Sequence, residues 1–327
     1  MTNSSSERPG EFELIAKLFA PLSAKTPGAY GLTDDAATIR LPTGEELVVT
    51  ADLLSAGVHF RTDDPPKRIA QKALRVNLSD LAAKGAKPFG YTLSLALPSD
   101  WTMPCLESFS SGLREDQERY SVGLVGGDTT STNGPLTIAI TAFGSVPEGT
   151  MIRRNGAKPG DVVFVSGTIG DAGGGLAALN GEMSSLADQH HAALVGRYQL
   201  PVPRVQLGVS LRGVATAALD VSDGLMADLG HIAETSGVKV SVDASRVPLS
   251  DALNAAAVPL LAAVTAGDDY EIAFTVPSSK RGDIVRIAAQ SGVTVTEIGR
   301  VEAGSGTVLL DSSGREIPLS KAGYRHF

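Results

Sequence analysis

The chain has 327 residues, of which 43% are apolar, and it carries a formal net charge of −8 at pH 7. A chain of this length exceeds the usual size of a single hydrophobic core, so two globular domains are expected. The excess of acidic residues argues against a general affinity for nucleic acid or for an anionic membrane. A polyphosphate ligand would therefore need cations to approach this protein.

The chain contains one cysteine, Cys105, which rules out an intramolecular disulfide and a cysteine-based metal site. Such cysteine usage is expected in the reducing cytoplasm. The first ten residues lack the basic start and apolar core of a signal peptide, and the apolar stretch at residues 253–264 is too short for a membrane span. We therefore expect a cytoplasmic protein that does not enter the membrane.

Hydrophobic periodicity in the first half of the chain switches between helical and strand patterns. The segment GEFELIAKLFAPL has helical spacing, and strand-like runs follow at residues 37–41 and 47–53. Two prolines precede the next predicted helix. The remaining predicted elements of this half are helices at residues 67–85 and 106–120 and strands at residues 91–97, 122–125 and 136–145.

A segment rich in turn formers and basic residues, VPEGTMIRRNGAKPG, separates the two halves. We predict an N-terminal domain of residues 1–148 and a C-terminal domain of residues 149–327. The second half continues with a strand at DVVFVSG, a glycine-rich loop, a strand and turn at ALDVSDG, a strand at residues 238–242 and a last strand at EIAFTVP, with helices between them. The mixture of elements indicates an α/β or α+β protein.

Aspartates recur after short apolar runs or in turns, in LTDDA, VTADLL, NLSDLAA, VGGDTT, LDVSDG and AGDDYEI. Carboxylates on several segments can converge on hard cations, and Mg²⁺ uses a few of them while retaining waters and phosphate oxygens. One such motif alone is better explained by the preference of aspartate for turns and helix caps. Six of them together favour a metal site.

Asp80 recurs at helical spacing with Ile69 and Val76, so it shares the apolar face of its predicted helix. A carboxylate on that face is costly unless it meets a cation or hydrogen-bond donors. Both metal ligation and a structural hydrogen-bonding role fit this position. Asp52 lies on the Val48 side of its strand, where an exposed strand end would explain it equally well.

Glycine-rich stretches suggest nucleotide binding, yet they do not match the commonest motifs. The sequence has no GK dipeptide, which excludes the usual Walker loop. A GxGxxA spacing at residues 173–178 follows a strand, but the loop is longer than a dinucleotide-binding turn and no suitable acidic partner follows. At Gly126 and Gly127, backbone amides could approach a phosphate while Asp128 holds a metal. A plain turn explains these residues equally well.

Cationic side chains that could hold a phosphate are few. Arg153 and Arg154 lie in the interdomain segment, where a guanidinium could clamp a phosphate, although a basic pair in a loop is usually only solvated. His59, in AGVHF, is ambiguous. Hydrolysis through an HExxH motif, a GxSxG elbow or a Cys–His pair finds no support. Of the reaction types considered, metal-assisted phosphoryl transfer is the one that remains.

The motifs DDA, TAD with AGVHF, KALRVNLSDLAAKGA, GLVGGDTT, RNGAKPGD, DVSDGLMADLGH and DDYE, and a final GYRHF, follow one another along the chain. In this combination the sequence resembles the thiamine-monophosphate kinase family, within the superfamily of aminoimidazole ribonucleotide synthetase. The resemblance implies a two-domain fold like that of aminoimidazole ribonucleotide synthetase, with an α/β N-terminal domain and an α+β C-terminal domain. It also implies a homodimer in which the N-terminal sheets pair, and an active site between the domains.

The activity implied by this resemblance is transfer of the γ-phosphoryl group of ATP to thiamine monophosphate, which gives thiamine diphosphate and ADP with several Mg²⁺ ions. We expect direct in-line transfer, because no nucleophile with an activating base is evident. One alternative is a sister activity of the superfamily, such as selenophosphate synthesis or hydrogenase maturation, for which a reactive cysteine is expected. The other is a nucleotide-binding module without catalysis, which would lack the metal carboxylates.

The residue roles implied by the resemblance come from matching motif positions. The expected roles are catalysis by Asp52, Asp80, Asp128 and Arg154; ATP binding by Gly127, Asp128, Arg154 and Ser222; binding of thiamine monophosphate by His59, Asp268 and Tyr324; and metal binding by Asp35, Thr50, Ala51, Asp52, Asp80, Asp128, Asp220 and Asp223.

Three positions depart from the family pattern. Thr33 replaces a common glycine before the first aspartate pair, and Ala51 stands where threonine is frequent. Ala51 would have to bind a metal through its backbone carbonyl. Asp268 replaces a glutamate, so its carboxylate reaches about one methylene less far toward the substrate.

Overall fold

A computed structural model of the chain describes residues 10–319 and 321–324. The chain forms two compact units. The first comprises the residues up to Leu81 together with Lys87–Gly149, and the second comprises Ala82–Ala86 together with the residues from Thr150 onward. The predicted domains differ from these units in the assignment of residues 82–86 and of Gly149.

The first unit begins with short helical segments of different kinds. The α-helix α1 (Glu11–Leu14) continues into a wider π-helical turn (Ile15–Phe19), which is followed by 3₁₀ segments at Ala20–Ser23 and Pro27–Leu32. Pro21 has no N–H to donate to a helical hydrogen-bond ladder. The helical spacing of GEFELIAKLFAPL therefore produces a succession of short turns and not one regular helix.

Four strands, β1 (Glu45–Ser55), β2 (Lys87–Leu97), β3 (Gly123–Ser131) and β4 (Thr137–Pro147), form a sheet in the order β1–β4–β2–β3. β4 pairs antiparallel with β1 and with β2, whereas β2 and β3 run parallel. Buried and half-buried residues alternate along β4. This alternation is typical of a sheet that is covered on one face.

The first unit also contains the long helix α3 (Met103–Tyr120) and all but the last two residues of the long helix α2 (Pro66–Ala83). α2 starts at a proline, which is favoured in the first turn of a helix because its missing N–H would have no partner there. The buried guanidinium of Arg75 on α2 donates to both carboxylate oxygens of Asp116 on α3, at 2.7 and 2.8 Å. This bidentate ion pair fixes the two helices relative to each other.

The second unit contains a seven-stranded sheet in the order β11–β10–β7–β9–β5–β8–β6. β10 pairs with β7 in parallel, and the other neighbouring strands pair antiparallel. The strands are β5 (Asp161–Ser166), β6 (Ala217–Asp220), β7 (Lys239–Asp243), β8 (Ile272–Pro277), β9 (Val295–Glu302), β10 (Gly306–Leu310) and β11 (Glu316–Ile317).

The second unit also contains several α-helices. None of the helices described in residues 10–319 and 321–324 combines the length and the apolar character needed to cross a bilayer. The helices of the second unit are α4 (Asp171–Leu179), α5 (Asp188–Gln199), α6 (Val205–Leu211), α7 (Leu225–Ser236), α8 (Asp251–Ala255), α9 (Leu260–Thr265) and α10 (Arg281–Ser291).

The seven-stranded sheet packs against helices on both faces. All six residues of β5 are buried. Val163 belongs to a core cluster with Leu229 of α7, whereas Phe164 belongs to a second cluster with Leu207 of α6 and Ile287 of α10. Because successive side chains of a strand point to opposite faces, a fully buried strand requires cover on both sides.

Two sequence-based predictions about strands are wrong. Residues 37–41 form no strand; residues 37–40 are exposed, and the N–H of Thr38 donates to the carbonyl of Gly28 at 2.9 Å in place of a strand partner. β8 is not the last strand, because β9, β10 and β11 follow it. β9 lies between β5 and β7, and its polar sequence, VTEIGRVE, gives only a weak strand signal.

Candidate active site

Asp80 and Thr50 form a direct contact in the first unit. The Thr50 hydroxyl donates to Oδ2 of Asp80 at 2.5 Å, and both side chains are half-buried. Thr50 and Asp52 lie on the face of β1 that also carries the buried Val48 and Leu54. The end of α2 and the middle of β1 thus bring together a hydroxyl and two carboxylates.

Burial, reinforced by the negative charge of Asp80, raises the pKa of Asp52 to about 7. A carboxyl group that is partly removed from water and lies beside a negative charge is disfavoured in its ionised form. A cation bound beside Asp52 and Asp80 would offset both effects. Thr50, Asp52 and Asp80 offer hard oxygen ligands, so they fit a magnesium ion.

A second group of predicted residues, Gly127 and Asp128, lies within β3. Asp128 is exposed, and its Oδ1 accepts the N–H of Thr129 at 2.9 Å. A Cβ atom added to Gly127 would lie 1.8 Å from the carbonyl oxygen of Leu93, so β2 approaches too closely for any other residue at this position. The glycine therefore brings its backbone against β2 directly before the Asp128 carboxylate.

Asp35 and Asp128 line a single cavity of about 560 Å³ in the first unit. The segment before Asp35 is unusual, because Tyr30 and Leu32 both adopt positive φ angles, 51° and 59°. The hydroxyl of Thr33 donates to the carbonyl of Tyr30 at 2.7 Å, which closes this turn. Thr33, which departs from the family pattern, thus has a hydrogen-bond acceptor within this turn. The cavity also has apolar walls, formed by Ile15, Phe19, Leu32, Ile39, Leu124 and Phe143.

The predicted carboxylates of the first unit lie in two places, one at β1 with Asp52 and the other at β3 with Asp128. Asp52 pairs with Ile140, Ile140 with Leu93, and Leu93 with Gly127, so β1 and β3 are three strand spacings apart. That separation is roughly 14 Å. Within the described residues, the predicted carboxylates of this unit do not form a group of three with oxygens within 4.8 Å of one another.

Backbone atoms determine which atom His59 and Ala51 can each offer to a ligand. Nδ1 of His59 accepts the N–H of Ser55 at 3.0 Å, so the neutral imidazole carries its proton on Nε2. That N–H is suited to donating to a phosphate oxygen. The side chain of Ala51 lies on the exposed face of β1, and its carbonyl is the one ligand atom it could offer a metal.

In the second unit, the predicted residues gather around the turn that follows β6. Asp220 ends the strand and is buried, and Ser222 and Asp223 follow in the turn. The N–H of Asp268 donates to the carbonyl of Ser222 at 2.9 Å, and the N–H of Tyr324 donates to the carbonyl of Asp223 at the same distance. Tertiary structure thus brings three distant sequence segments together.

Asp223 also lies beside Asp228 and His231, and one ligand atom from each residue lies within 4.8 Å of the others. Burial, reinforced by the charge of Asp223, raises the pKa of Asp228 to about 7, although three backbone N–H groups oppose the shift. Asp223, His231 and Tyr324 line a cavity of about 570 Å³ in this unit.

Arg154 has an exposed side chain, and its backbone is held within the second unit. Its carbonyl accepts the hydroxyl of Ser236 at 3.1 Å, and the carbonyl of Arg153 accepts the N–H of Ala218 at 3.0 Å. The main chain of this arginine pair is therefore anchored beside β6, while the guanidinium of Arg154 extends toward solvent.

Asp228, Asp269 and Glu271 have no role predicted from the sequence. Glu271 is fully buried and accepts hydrogen bonds from Arg197, at 2.7 Å, and from Arg204. Asp269 is buried and accepts the N–H groups of Gly170, at 2.6 Å, and Ala172. The signal in the sequence was the charged character of DDYE directly before the apolar strand β8, since buried charges require partners.

We expect the Asp269 carboxyl to make stability depend on pH. Burial raises its pKa from 3.8 to about 8, so folding favours the protonated form. The stabilisation is complete below about pH 4 and is lost as pH rises through about 8. The amide of the Asp269→Asn variant cannot ionise, so this variant does not lose stability in the same way. The Tm of the variant minus the Tm of the original chain should therefore increase by about 2–5 °C between pH 6 and pH 9. Calorimetry at both pH values measures this difference, and a constant difference would contradict the prediction.

Two family models match this chain. Residues 33–146 match the N-terminal domain of AIR synthase related proteins, and residues 158–311 match their C-terminal domain. The thiamine-monophosphate kinase of Caulobacter vibrioides is 43% identical over 325 residues, which cover 97% of this chain and 91% of that protein. The chain belongs to the thiamine-monophosphate kinase family. The Escherichia coli K12 member is 41% identical, over 97% of this chain and 98% of its own length.

Solved structures of this family share the architecture. The thiamine-monophosphate kinase of Stenotrophomonas maltophilia superposes with a TM-score of 0.81 at 39% identity, covering 92% of this chain and 96% of that one. AaThiL complexed with AMPPCP and TMP gives a TM-score of 0.78 at 32% identity, covering 99% and 100%. The hydrogenase maturation protein HypE in complex with ATP reaches 0.78 at 18% identity, which shows a common fold alone.

The family membership and the two-domain α/β fold predicted from the sequence are therefore confirmed. The pairing of N-terminal sheets in a dimer stays a prediction. The roles assigned to individual residues also stay predictions.

Proposed function

We propose that this chain is an ATP-dependent kinase that transfers the γ-phosphoryl group of ATP to the phosphate of thiamine monophosphate, which gives thiamine diphosphate and ADP. The observation that carries this proposal is near full-length similarity to thiamine-monophosphate kinases, including AaThiL, which is complexed with AMPPCP and TMP. The carboxylates, the histidine and the arginine expected from the family motifs are all present.

The proposed metal ligands are hard oxygen donors throughout. In the first unit they are Thr50, Asp52 and Asp80 at one place and Asp35 and Asp128 at another, with the carbonyl of Ala51 as a further candidate. Asp220 and Asp223 are the candidates in the second unit. Mg²⁺ bound by these oxygens would neutralise phosphate charge and orient phosphate oxygens. The raised pKa of Asp52 supports this role, since two adjacent carboxylates need a compensating cation.

The nucleotide is proposed to contact the backbone at Gly127 and the side chains of Asp128, Arg154 and Ser222. Gly127 directly precedes Asp128 on β3, so a phosphate bound through a metal at Asp128 would lie next to this backbone. The planar guanidinium of Arg154 can donate two parallel hydrogen bonds to phosphate oxygens. Asp52, Asp80, Asp128 and Arg154 are the residues to which we assign catalysis.

Recognition of thiamine monophosphate is proposed for His59, Asp268 and Tyr324. Nε2–H of His59 can donate to the phosphate of the acceptor, because Nδ1 already accepts the N–H of Ser55. The carboxylate of Asp268 and the ring of Tyr324 both suit the cationic thiazolium. Asp268 and Tyr324 are connected through the turn at Ser222 and Asp223, whose carbonyls accept their N–H groups.

Phosphoryl transfer is proposed to occur directly between the two bound phosphates. Direct transfer requires the chain to align donor and acceptor and to stabilise the charge that spreads over the transferred group, a task suited to Arg154. The acceptor oxygen is already anionic near neutral pH, so no strong general base is required. Inversion of configuration at a chiral γ-phosphorus is the expected stereochemical result.

A coupled assay tests this function. Purified protein with ATP and Mg²⁺ should form thiamine diphosphate and ADP from thiamine monophosphate, and EDTA should abolish the reaction because ATP loses its metal bridge. Aminoimidazole-type ribonucleotides and selenide are the comparison substrates. Turnover of one of these, with none of thiamine monophosphate, would refute the proposed substrate.

We propose that the protein acts as a homodimer that pairs through β1. β1 is an outer strand of its sheet, and its exposed face carries Leu47, Val49 and Leu53, which are 43%, 53% and 62% exposed. An open edge beside exposed apolar side chains favours pairing with a second copy. Thr50 and Asp52 lie on the same strand, so such a dimer brings metal ligands of both copies to adjoining strands.

Leu47→Lys is expected to convert this dimer to a monomer, since burial of an unpaired ammonium group is unfavourable. Sedimentation velocity should give twice the 33.7 kDa chain mass for the original protein and the single chain mass for the variant. Val285→Lys is the matched control, because Val285 is 74% exposed on α10 in the second unit. A Leu47→Lys variant that stays dimeric would contradict pairing through β1.

The acidic net charge and the single cysteine support a cytoplasmic enzyme that needs neither nucleic acid nor membrane. Its partners would then be its two substrates, its metal ions and a second copy of itself.

A further inference from the structure

The turn Ser222–Gly224 connects three segments of the second unit. Ser222 and Asp223 are proposed site residues, and their carbonyls accept the N–H groups of Asp268 and Tyr324. A Cβ atom added to Gly267 would lie 2.4 Å from the carbonyl oxygen of Ser222, so the backbones of the two segments are in close contact. The position of this turn therefore sets the backbone positions of Asp268 and Tyr324, two of the residues proposed to bind the acceptor.

One side chain holds the turn from its buried side. Oδ2 of Asp228 accepts the backbone N–H groups of Ser222, Asp223 and Gly224, at 3.0, 3.0 and 3.1 Å. The residue is 4% exposed. Asp228 is the fourth residue of α7, and side chains on a helix tilt toward its N-terminus, so the carboxylate points back at the turn that precedes the helix.

These hydrogen bonds tie α7 to its N-cap residue, Gly224, and to the two residues before it. Gly224, at the N-cap position, has no side chain to accept an N–H group, and buried N–H groups without partners are costly. A carboxylate is a stronger acceptor for backbone N–H groups than a neutral oxygen. The three donors converge on one oxygen, so removal of that oxygen releases all three residues of the turn together.

We infer that Asp228 is a positioning residue of the kinase reaction, which fixes the Ser222–Gly224 turn and, through it, the backbones of Asp268 and Tyr324. The inference rests on the proposed function for its kinetic consequence. Asp228 itself need not touch either substrate. Its carboxylate acts through the main chain of residues that do.

Amide hydrogen exchange tests the anchoring without reference to activity. In Asp228→Ala, the amides of Ser222, Asp223 and Gly224 should exchange at least about 10-fold faster, because their acceptor is gone. The amides of Asp268 and Tyr324 should accelerate as well, since their acceptor carbonyls belong to the released turn. Asp228→Asn retains one acceptor oxygen and should show an intermediate increase.

Steady-state kinetics measure the consequence for the site. Asp228→Ala should lower kcat/KM for thiamine monophosphate by about 10²-fold, which is typical when a supporting change displaces reacting groups by about 1 Å. Asp228→Asn should recover part of this loss. If the alanine variant does not fold, the asparagine variant carries both measurements.

Asp161→Asn is the matched control for a merely structural role. Asp161 is 5% exposed, accepts the N–H of Lys158 at 2.9 Å and accepts the hydroxyl of Thr216 at 2.7 Å. Across β8, Asp161 pairs with Pro277 and Asp220 with Ile272, which places them roughly 17 Å apart along the strand direction. This variant should lower Tm while both KM values and kcat stay within about threefold of the original values.

Three results would overturn the inference. The first is unchanged exchange at Ser222–Gly224 in Asp228→Ala, and the second is faster exchange with unchanged kinetics. The third is a raised Mg²⁺ requirement in Asp228→Asn with full protection of the turn, which would make Asp228 a metal ligand. If the original chain fails to phosphorylate thiamine monophosphate, the proposed function fails, whereas the exchange comparison still decides whether Asp228 holds the turn.

Discussion

Asp80→Asn is expected to lower kcat for thiamine monophosphate phosphorylation by about 10³-fold, because several kcal/mol of charge stabilisation through a bound metal are lost. Asp80 accepts the hydroxyl of Thr50 and lies next to Asp52. The amide keeps the shape of the carboxylate and can still accept that hydroxyl. What it loses is the negative charge that would hold a cation.

Folding of Asp80→Asn should be nearly unaffected. Removal of one of two adjacent negative charges relieves the repulsion that contributes to the raised pKa of Asp52, so the Tm in the absence of metal should stay the same or rise. The loss of kcat without a loss of Tm separates a role in metal binding from a structural role.

Asp64→Asn is the matched control for this experiment. Asp64 is a buried carboxylate of the same unit that accepts the N–H of Arg61 at 3.0 Å, and no metal role is proposed for it. Its variant should keep kcat within about threefold of the original value. Equal losses of kcat in both variants, or no loss in Asp80→Asn, would refute metal binding by Asp80.

Arg154→Ala is expected to reduce kcat by about 10²-fold to 10³-fold and to raise KM for ATP, since an arginine that stabilises the transferred phosphoryl group has effects of this size or larger. The guanidinium is exposed, whereas the backbone of Arg154 is held by the hydroxyl of Ser236. Truncation of the side chain therefore removes a phosphate contact without releasing the segment.

Arg153→Ala is a stringent control, because Arg153 is the adjacent exposed arginine with the same formal charge. Its variant changes the net charge equally and should stay within about threefold of the original kcat. Arg154→Lys should remain well below the original activity, because an ammonium group cannot reproduce the two-pronged contact of a guanidinium. A similar loss of kcat in Arg153→Ala and Arg154→Ala would mean that these arginines act only by general electrostatic attraction.

The amino-acid sequence by itself determined which functional side chains this protein has and which class of reaction they suit. The aspartate motifs, the absence of a Walker lysine and the order of the family motifs are enough to predict a metal-dependent kinase. Most strands and helices of both units are also predictable, because apolar periodicity is a local property of the chain. The failures at residues 37–41 and at β9–β11 concern segments whose state depends on strand partners elsewhere in the sequence.

Only the tertiary structure decided how the candidate residues are grouped. Thr50, Asp52 and Asp80 meet because the end of α2 lies against β1, whereas Asp128 lies three strands away on β3. Strand order is not encoded in the spacing of motifs along the chain, so the sequence could not separate these two places.

The role of Asp228 likewise required the fold. In the sequence it is one more aspartate at the start of a helix, where a solvated residue favoured by the helix dipole is the ordinary interpretation. In the folded chain it is buried, and its Oδ2 accepts three backbone N–H groups of the turn that carries Ser222 and Asp223. Burial and convergent hydrogen bonds arise from packing between distant segments, so they cannot be predicted from local sequence patterns.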